Sequence, residues 1–338
     1  MTDWKDPVAV IGAGAWGTTL ARMLGKRGID VRLWAVTEEL ATDILSAREN
    51  RAFLPGFALP ERLSVSADAA EVLDGASALI WVVPSQWLRE VARKLAPHAN
   101  PDTLQICATK GIEHETGMRM SQLIAEEIGG AGLQTQFVAL SGPNLSREIA
   151  EGQPALSVAA SASEERAYQA QRLLSSPLFR VYRNPDIIGV ELCGALKNVI
   201  AIAAGMSDGL GFGANVRAAL MTRGLAEMRR LGLALGAHRD TFAGIAGMGD
   251  LITTCTSTLS RNYSTGARLA RGESCEEIQG SMRAVAEGIP TVRAELELAA
   301  EHGVEVPIAQ AVHEVLFEGA SPRDAAERLM TRAQRAEF

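Results

Sequence analysis

A short apolar run, Val8-Ala9-Val10-Ile11, passes directly into Gly12-Ala13-Gly14-Ala15-Trp16-Gly17. A helical stretch from Thr18 to Lys26 follows, closed by Gly28. Strand, G-x-G-x-x-G and helix in this order form the dinucleotide-binding arrangement. Each glycine has its own reason. Gly12 permits the tight turn, Gly14 lets the backbone approach a pyrophosphate, and Gly17 lets helix and strand pack closely. The free N–H groups at the helix start then face the phosphates. The glycine pattern alone is weak; the strand before it and the helix behind it make it informative.

The alternation continues. Val31–Ala35, Ala78–Val83, Leu104–Ala108 and Phe137–Leu140 read as strands, with shorter ones near Ala155–Ala160 and Phe179–Tyr182 and a helix between those two. Uninterrupted apolar runs such as Ala78–Val83 fit parallel strands buried on both faces. Ser85 is placed to cap a helix through Leu95. Ligands of open α/β sheets bind beyond the carboxyl ends of strands. Lys110, beside Gly111, is in that place, and so is the small polar turn Ser141-Gly142-Pro143-Asn144-Leu145-Ser146. The second strand ends in Val36-Thr37-Glu38-Glu39. Glu38 is a candidate for a ribose hydroxyl or simply the start of a helix, where acids are favoured. Arg51 is a candidate for a 2′-phosphate, so the choice between NAD and NADP stays open.

After Asn184-Pro185 the strand signals stop. Helical periods run from Ile187 nearly to the end, broken by glycines and by Pro290, Pro307 and Pro322. The expected organisation is an α/β Rossmann-type domain over 1–188 and an all-α domain over 189–338, with a cleft between them as the favoured ligand site.

The helical half opens on Val190 to Gly205, and from Leu192 to Ser207 the one charged residue is Lys197. On a helix, Lys197 shares a face with Val190, Gly194, Ala201, Ala204 and Gly205. That face has little bulk, so a backbone or a ligand can come close. Burial there disfavours the ammonium and fits the lysine for general acid–base work. The alternative is a lysine that snorkels past small neighbours to water. Asp250, among the glycines of Ala246–Leu251, is either a partner for Lys197 and a substrate hydroxyl or a helix cap. Ser260-Arg261-Asn262 before a helix, expected from Tyr263 to Arg271, is either a phosphate cradle with Ser260 as cap or a solvated turn.

Bulk properties exclude other classes. Of 338 residues, 47% are hydrophobic and 22% charged, and the net charge is −7. An acidic chain of this kind is not expected to bind nucleic acid or an anionic membrane. Cys107, Cys193, Cys255 and Cys275 form no CxxC pair and are expected as reduced thiols. The histidines show no metal spacing, so no metal site is expected. The N-terminus is too polar for a signal peptide, and no apolar run is expected to reach the roughly 18 residues of a membrane span. A cytoplasmic enzyme without stable membrane insertion, and a homodimer as the commonest assembly, are the expectations.

With these places identified, the sequence resembles the bacterial NAD(P)-dependent glycerol-3-phosphate dehydrogenases over nearly its whole length. The motifs are IGAGAWGTTLA at Ile11–Ala21, FLPG at Phe53–Gly56, VVPS at Val82–Ser85, ATKGIE at Ala108–Glu113 and SGPN at Ser141–Asn144. Then come ELCGALKNVIAIAAGMSDGLGFGAN at Glu191–Asn215, AGMGDL at Ala246–Leu251, SRN at Ser260–Asn262 and EGIPT at Glu287–Thr291. The resemblance implies a Rossmann-type domain and a helical domain on a plan similar to 6-phosphogluconate dehydrogenase. It implies hydride transfer between NAD(P)H and dihydroxyacetone phosphate, giving sn-glycerol 3-phosphate for phospholipid synthesis. It further implies cofactor contacts at Ala15, Trp16, Lys110, Ser146, Arg261, Val285 and Glu287 beside the glycine loop. Substrate contacts fall at Lys110, Gly142, Asn144, Asp250, Ser260, Arg261 and Asn262, with Lys197 as proton donor and acceptor. Asn144 stands where the family more often has Ser or Thr, Ser146 where it has Ala, and Val36 lacks a side chain able to meet a 2′-phosphate. Two other readings of the residues are a β-hydroxyacid dehydrogenase and a non-catalytic NAD(P) sensor.

Overall fold

A computed structural model of the chain describes residues 4, 7–129, 136–282, 285–334, 336 and 337. Most of the polar N-terminal segment and Arg335 of the tail lie outside them. The chain divides into two compact units, one of Met1–Lys110 with Met118–Glu191, the other of Gly111–Gly117 with Leu192–Phe338.

The first unit is a single eight-stranded sheet: β1 (Val8–Ile11), β2 (Val31–Trp34), β3 (Leu63–Ser66), β4 (Ala78–Trp81), β5 (Leu104–Cys107), β6 (Val138–Ser141), β7 (Ala155–Ala160) and β8 (Phe179–Asn184). Their order is β3-β2-β1-β4-β5-β6-β7-β8. Every neighbouring pair is parallel except β6 and β7. The helices are α1 (Ala15–Lys26), α2 (Glu38–Ala47), α3 (Ala69–Leu73), α4 (Leu88–Leu95), α5 (Met120–Ile128), α6 (Ser146–Glu151) and α7 (Glu164–Leu174). The sheet has a core on each face. Val8, Val10, Ala78 and Ile80 enter one, and Ala9, Ile11, Leu79 and Trp81 the other. Both faces are therefore covered, which is why these strands read as continuous apolar runs.

Two expectations need correction in this unit. The apolar pattern predicts no strand at β3, whose residues alternate Leu-Ser-Val-Ser, with Ser64 exposed. An edge strand covered on one side carries only half the apolar signal. Ser85 is not a helix cap: it opens a short 3-10 turn, Ser85–Trp87, that leads into α4.

Every regular element after β8 among the described residues is helical. The α-helices are α8 (Ile187–Gly209), α9 (Ala214–Ala234), α10 (Asp250–Thr256), α11 (Arg261–Leu269), α12 (Cys275–Ser281), α13 (Gly288–Glu301), α14 (Pro307–Phe317) and α15 (Pro322–Met330), and a 3-10 turn (Arg239–Ala243) and a π-helical turn (Ile245–Gly249) lie between α9 and α10. Contrary to expectation, α8 is long and apolar enough to cross a membrane by length and composition. Its most apolar window is 89% buried inside the protein, as a core helix would be. The small residues of α8 admit another backbone. A Cβ on Gly205 would lie 2.0 Å from the Tyr263 carbonyl oxygen, and one on Gly266 would lie 1.9 Å from that of Ile202. Helices α8 and α11 thus touch main chain to main chain.

Candidate functional site

The glycine loop is built as its spacing demands. Gly12 has φ +117°, and a Cβ there would lie 2.7 Å from the Val82 carbonyl oxygen. A Cβ on Gly17 would lie 1.9 Å from the Gly12 carbonyl oxygen, so that position brings the start of α1 onto the loop. A Cβ on Gly14 would meet nothing within 4 Å. The loop backbone is therefore open on the side where a pyrophosphate would lie, next to the first-turn N–H groups of Ala15 and Trp16. Asn50, fully buried, braces the loop by donating to the Ala13 carbonyl and to Thr18 Oγ1, each at 2.8 Å. Sequence reading misses Asn50; its one signal is its place just before FLPG.

At the carboxyl ends of the strands, Lys110 Nζ donates to the Gly142 carbonyl at 2.9 Å. Asn144 Nδ2 donates to the Leu156 carbonyl at 3.0 Å, and its Oδ1 accepts from Ser157 at 3.1 Å. The Asn144 amide thus ties the turn to β7. Ser146 opens α6, and its carbonyl accepts from Thr19 Oγ1 at 3.2 Å. Val36 is 61% exposed beyond β2. Glu38 begins α2, where Thr37 is the cap, accepting from the Leu40 N–H at 3.2 Å. Arg51 is exposed, with Glu49 at 3.9 Å.

In the helical unit, Lys197 does not snorkel. It is 5% exposed, Asp250 is 1% exposed, and Lys197 Nζ donates to Asp250 Oδ1 at 2.6 Å. Nζ also meets Thr254 Oγ1 at 2.7 Å. Burial and a paired carboxylate act on an ammonium in opposite directions. Asp250 is the first residue of α10 and Gly249 is the cap position, so the capping alternative for Asp250 does not hold. Sequence reading also misses Thr254; it lies one turn after Asp250 and so on the same face. Nearby Cys255 is pushed up to about 12 by burial, which keeps it a thiol.

Ser260 caps α11, accepting from the Tyr263 N–H at 3.3 Å. The helix begins at Arg261, two residues before the expected start. The Arg261 side chain is accessible yet closely surrounded by protein, which lowers its pKa, while the Glu287 carboxylate acts in the raising direction. Glu287 lies at the head of α13, and Val285 is half-buried just before it. Asn262 is buried, and its amide is engaged within the unit.

Residues 7–167 match the family model for the NAD-dependent glycerol-3-phosphate dehydrogenase N-terminus, and residues 186–327 match that for its C-terminus. The chain belongs to the NAD-dependent glycerol-3-phosphate dehydrogenase family. It is 50% identical to a protein of Geobacter metallireducens named glycerol-3-phosphate dehydrogenase (NAD(P)+), over 98% of this chain and 99% of the relative. A protein of the same name from Pelotomaculum thermopropionicum is 48% identical, over 98% and 95%. Among solved structures, the glycerol-3-phosphate dehydrogenase of Coxiella burnetii matches with a TM-score of 0.92 at 37% identity, covering 97% of this chain and 99% of that one. Membership of the dehydrogenase family agrees with the open glycine loop in one unit and the paired, buried lysine in the other.

Proposed function

We propose that this glycerol-3-phosphate dehydrogenase family member interconverts dihydroxyacetone phosphate and sn-glycerol 3-phosphate with NAD(P)H and supplies the latter to phospholipid synthesis. The buried Lys197, held by Asp250 and Thr254, carries the reading, because a reaction that makes and unmakes a hydroxyl group needs a proton donor and acceptor at one atom. Residues 1–188 form the nucleotide-binding domain and 189–338 the substrate domain. The open face of Gly14 and the N–H groups of Ala15 and Trp16 fit a pyrophosphate, with Gly12 and Gly17 shaping the turn. Lys110, Ser146, Arg261, Val285 and Glu287 complete the cofactor contacts.

When bound, the reduced nicotinamide supplies a hydride to the substrate carbonyl carbon. Lys197 Nζ stabilises the negative charge that grows on the oxygen and delivers the proton. In the reverse direction the neutral amine accepts it. Asp250 and Thr254 hold Nζ in place. Lys110 adds positive charge, and Gly142 and Asn144 line the substrate. The start of α11, with Ser260, Arg261 and Asn262, holds the phosphate, whose binding energy orients the reacting carbon. The phosphate cradle favours this substrate over the carboxylate of a β-hydroxyacid. A sensor without turnover needs no proton donor at Lys197 Nζ, so Lys197, Lys110 and Asp250 together weigh against that reading. A homodimer in the cytoplasm, without nucleic acid or stable membrane insertion, completes the reading.

The test is oxidation of NADPH and NADH, in parallel, with dihydroxyacetone phosphate as acceptor. Turnover by the wild type and its loss in Lys197→Ala, with cofactor binding retained, is the expected result. Near-normal turnover in Lys197→Ala would remove the lysine from the chemistry. Binding of both cofactors without turnover would mean that the substrate is wrong.

A further inference from the structure

The segment that carries FLPG closes on itself. Glu49 pairs with Ala58 in an antiparallel bridge, the Leu59 N–H donates to the Arg48 carbonyl at 2.8 Å, and the Gly56 N–H donates to Glu49 Oε1 at 2.8 Å. Arg22 of α1 ties the segment down, donating through Nε to the Ala58 carbonyl at 2.9 Å. From this frame Asn50 reaches inward with both ends of its amide engaged. Nδ2 donates to the Ala13 carbonyl and to Thr18 Oγ1, each at 2.8 Å, and Oδ1 accepts from the Phe53 N–H at 3.2 Å. The backbone partners settle how the amide is turned, because a carbonyl only accepts and an N–H only donates. Asn50 and Thr18 are both 0% exposed.

The bond to Ala13 also orients the next residue. A trans peptide unit is planar, and its C=O and N–H point opposite ways. With the Ala13 carbonyl turned toward Asn50, the Gly14 N–H is fixed on the side away from Asn50. The bond to Thr18 holds the first turn of α1 to the same nitrogen, so the loop and the helix start keep one relative orientation. A phosphate cradle of backbone N–H groups is effective when its donors are set before the ligand arrives.

We propose that Asn50 is a positioning residue for the dinucleotide: its amide holds the Ala13–Gly14 peptide and the start of α1 so that their N–H groups meet the pyrophosphate. It has no exposed surface to offer a ligand, so it acts through the loop and touches neither cofactor nor substrate. This rests on the nucleotide-binding reading of the glycine loop above.

The experiment compares Asn50→Ala, Asn50→Asp and Thr18→Val with the wild type. Asn50→Asp keeps the acceptor for the Phe53 N–H, and so the fold of the FLPG segment, but loses both donors. The Kd for NADH is read by fluorescence titration and the Kd for ADP-ribose, which has the pyrophosphate but no nicotinamide, by displacement of NADH. The kcat and the KM for dihydroxyacetone phosphate are read at saturating NADH. In Asn50→Ala and Asn50→Asp the Kd rises about tenfold or more, by the same factor for NADH and ADP-ribose, while kcat and KM change less than about threefold. Thr18→Val, which leaves the bond to Ala13, shows a smaller rise. A lower Tm with both Kd values unchanged would overturn the proposal, since Asn50 would then serve the fold alone. So would a loss confined to NADH, which would place the effect at the nicotinamide end, or a loss in Asn50→Asp alone, which would assign it to the added charge. A greater loss in Thr18→Val than in Asn50→Ala would also overturn it. If Asn50→Ala fails to fold, Asn50→Leu, uncharged and of similar size, takes its place. Wild-type protein that binds no NADH would fault the nucleotide-binding reading itself. Wild-type protein that binds NADH but turns over no dihydroxyacetone phosphate would fault the choice of substrate, and the two Kd values would still judge Asn50.

Discussion

Lys197 Nζ donates to the Asp250 carboxylate at 2.6 Å, across 53 positions of sequence, and both groups are buried. The pair joins α8 to α10. Neither residue would be stable there alone, since an uncompensated buried charge is costly.

Asp250→Asn keeps the shape of the side chain and removes its charge. The ammonium then retains only Thr254 and the amide oxygen. Removing one partner of a buried pair costs about 3–5 kcal/mol, so urea unfolding should show a loss of this order. Turnover should fall by roughly a hundredfold or more, because the general acid is no longer held in place. Unchanged stability with lost turnover would instead confine Asp250 to a contact with substrate.

Much of this was legible in the sequence, for reasons that can be named. The glycine loop was legible because each glycine answers a separate steric need, and the structure shows the clashes a Cβ would make at Gly12 and Gly17. Lys197 was legible because it is the one charge between Leu192 and Ser207, on a face with too little bulk to account for it. Thr254 was not, since a threonine inside a helix has no mark until the phase of Asp250 is known. Asn50 was invisible for a different reason: its two bonds run 32 and 37 positions back along the chain. The expectation for membrane-spanning runs failed at α8 because Lys197 and Glu191 interrupt the sequence without making the whole helix polar. The small face of α8 promised a close approach, and much of that approach is made by the backbone of α11.

A pair of buried acids predicts a pH dependence. Glu227 on α9 accepts from the Ile308 and Ala309 N–H groups at 3.0 and 2.9 Å, at the start of α14. Burial nonetheless pushes its pKa up from 4.5 to about 7. Glu295 on α13 is 0% exposed, and neither carboxyl oxygen has a hydrogen-bond partner among the described residues. Burial, and then the charge of Glu227, raise it well above 4.5. The folded state therefore keeps protons that the unfolded chain releases near pH 4.5. The stability from Glu227 is full below that pH, declines as pH rises toward about 7, and is level above it. Urea unfolding between pH 5 and pH 8 should show a decline of a few kcal/mol, since each tenfold difference in proton affinity between the folded and unfolded chains is worth roughly 1.4 kcal/mol. Glu295→Gln should make the decline shallower. A flat profile in the wild type would mean that water reaches these carboxyls.

The remaining prediction concerns the choice of cofactor. Beyond β2 the chain presents Val36, 61% exposed, then Thr37 as a cap and two acids in the first turn of α2. No cation stands in Val36-Thr37-Glu38-Glu39, and Glu38 and Glu39 would repel a 2′-phosphate. Val36→Arg places a forked donor where the phosphate would lie, and a guanidinium meets phosphate oxygens in pairs. The ratio of kcat/KM for NADPH to that for NADH should rise about tenfold or more, since one charge-assisted hydrogen bond contributes roughly 1.5–3 kcal/mol. The gain should shrink as salt rises, because the contact lies at the surface. Val36→Arg leaves Lys197, Asp250 and Thr254 unchanged, so kcat with NADH should stay close to wild type. An unchanged ratio would mean that the phosphate end of the cofactor is held elsewhere, and Arg51, exposed beside Glu49, would be the next residue to replace.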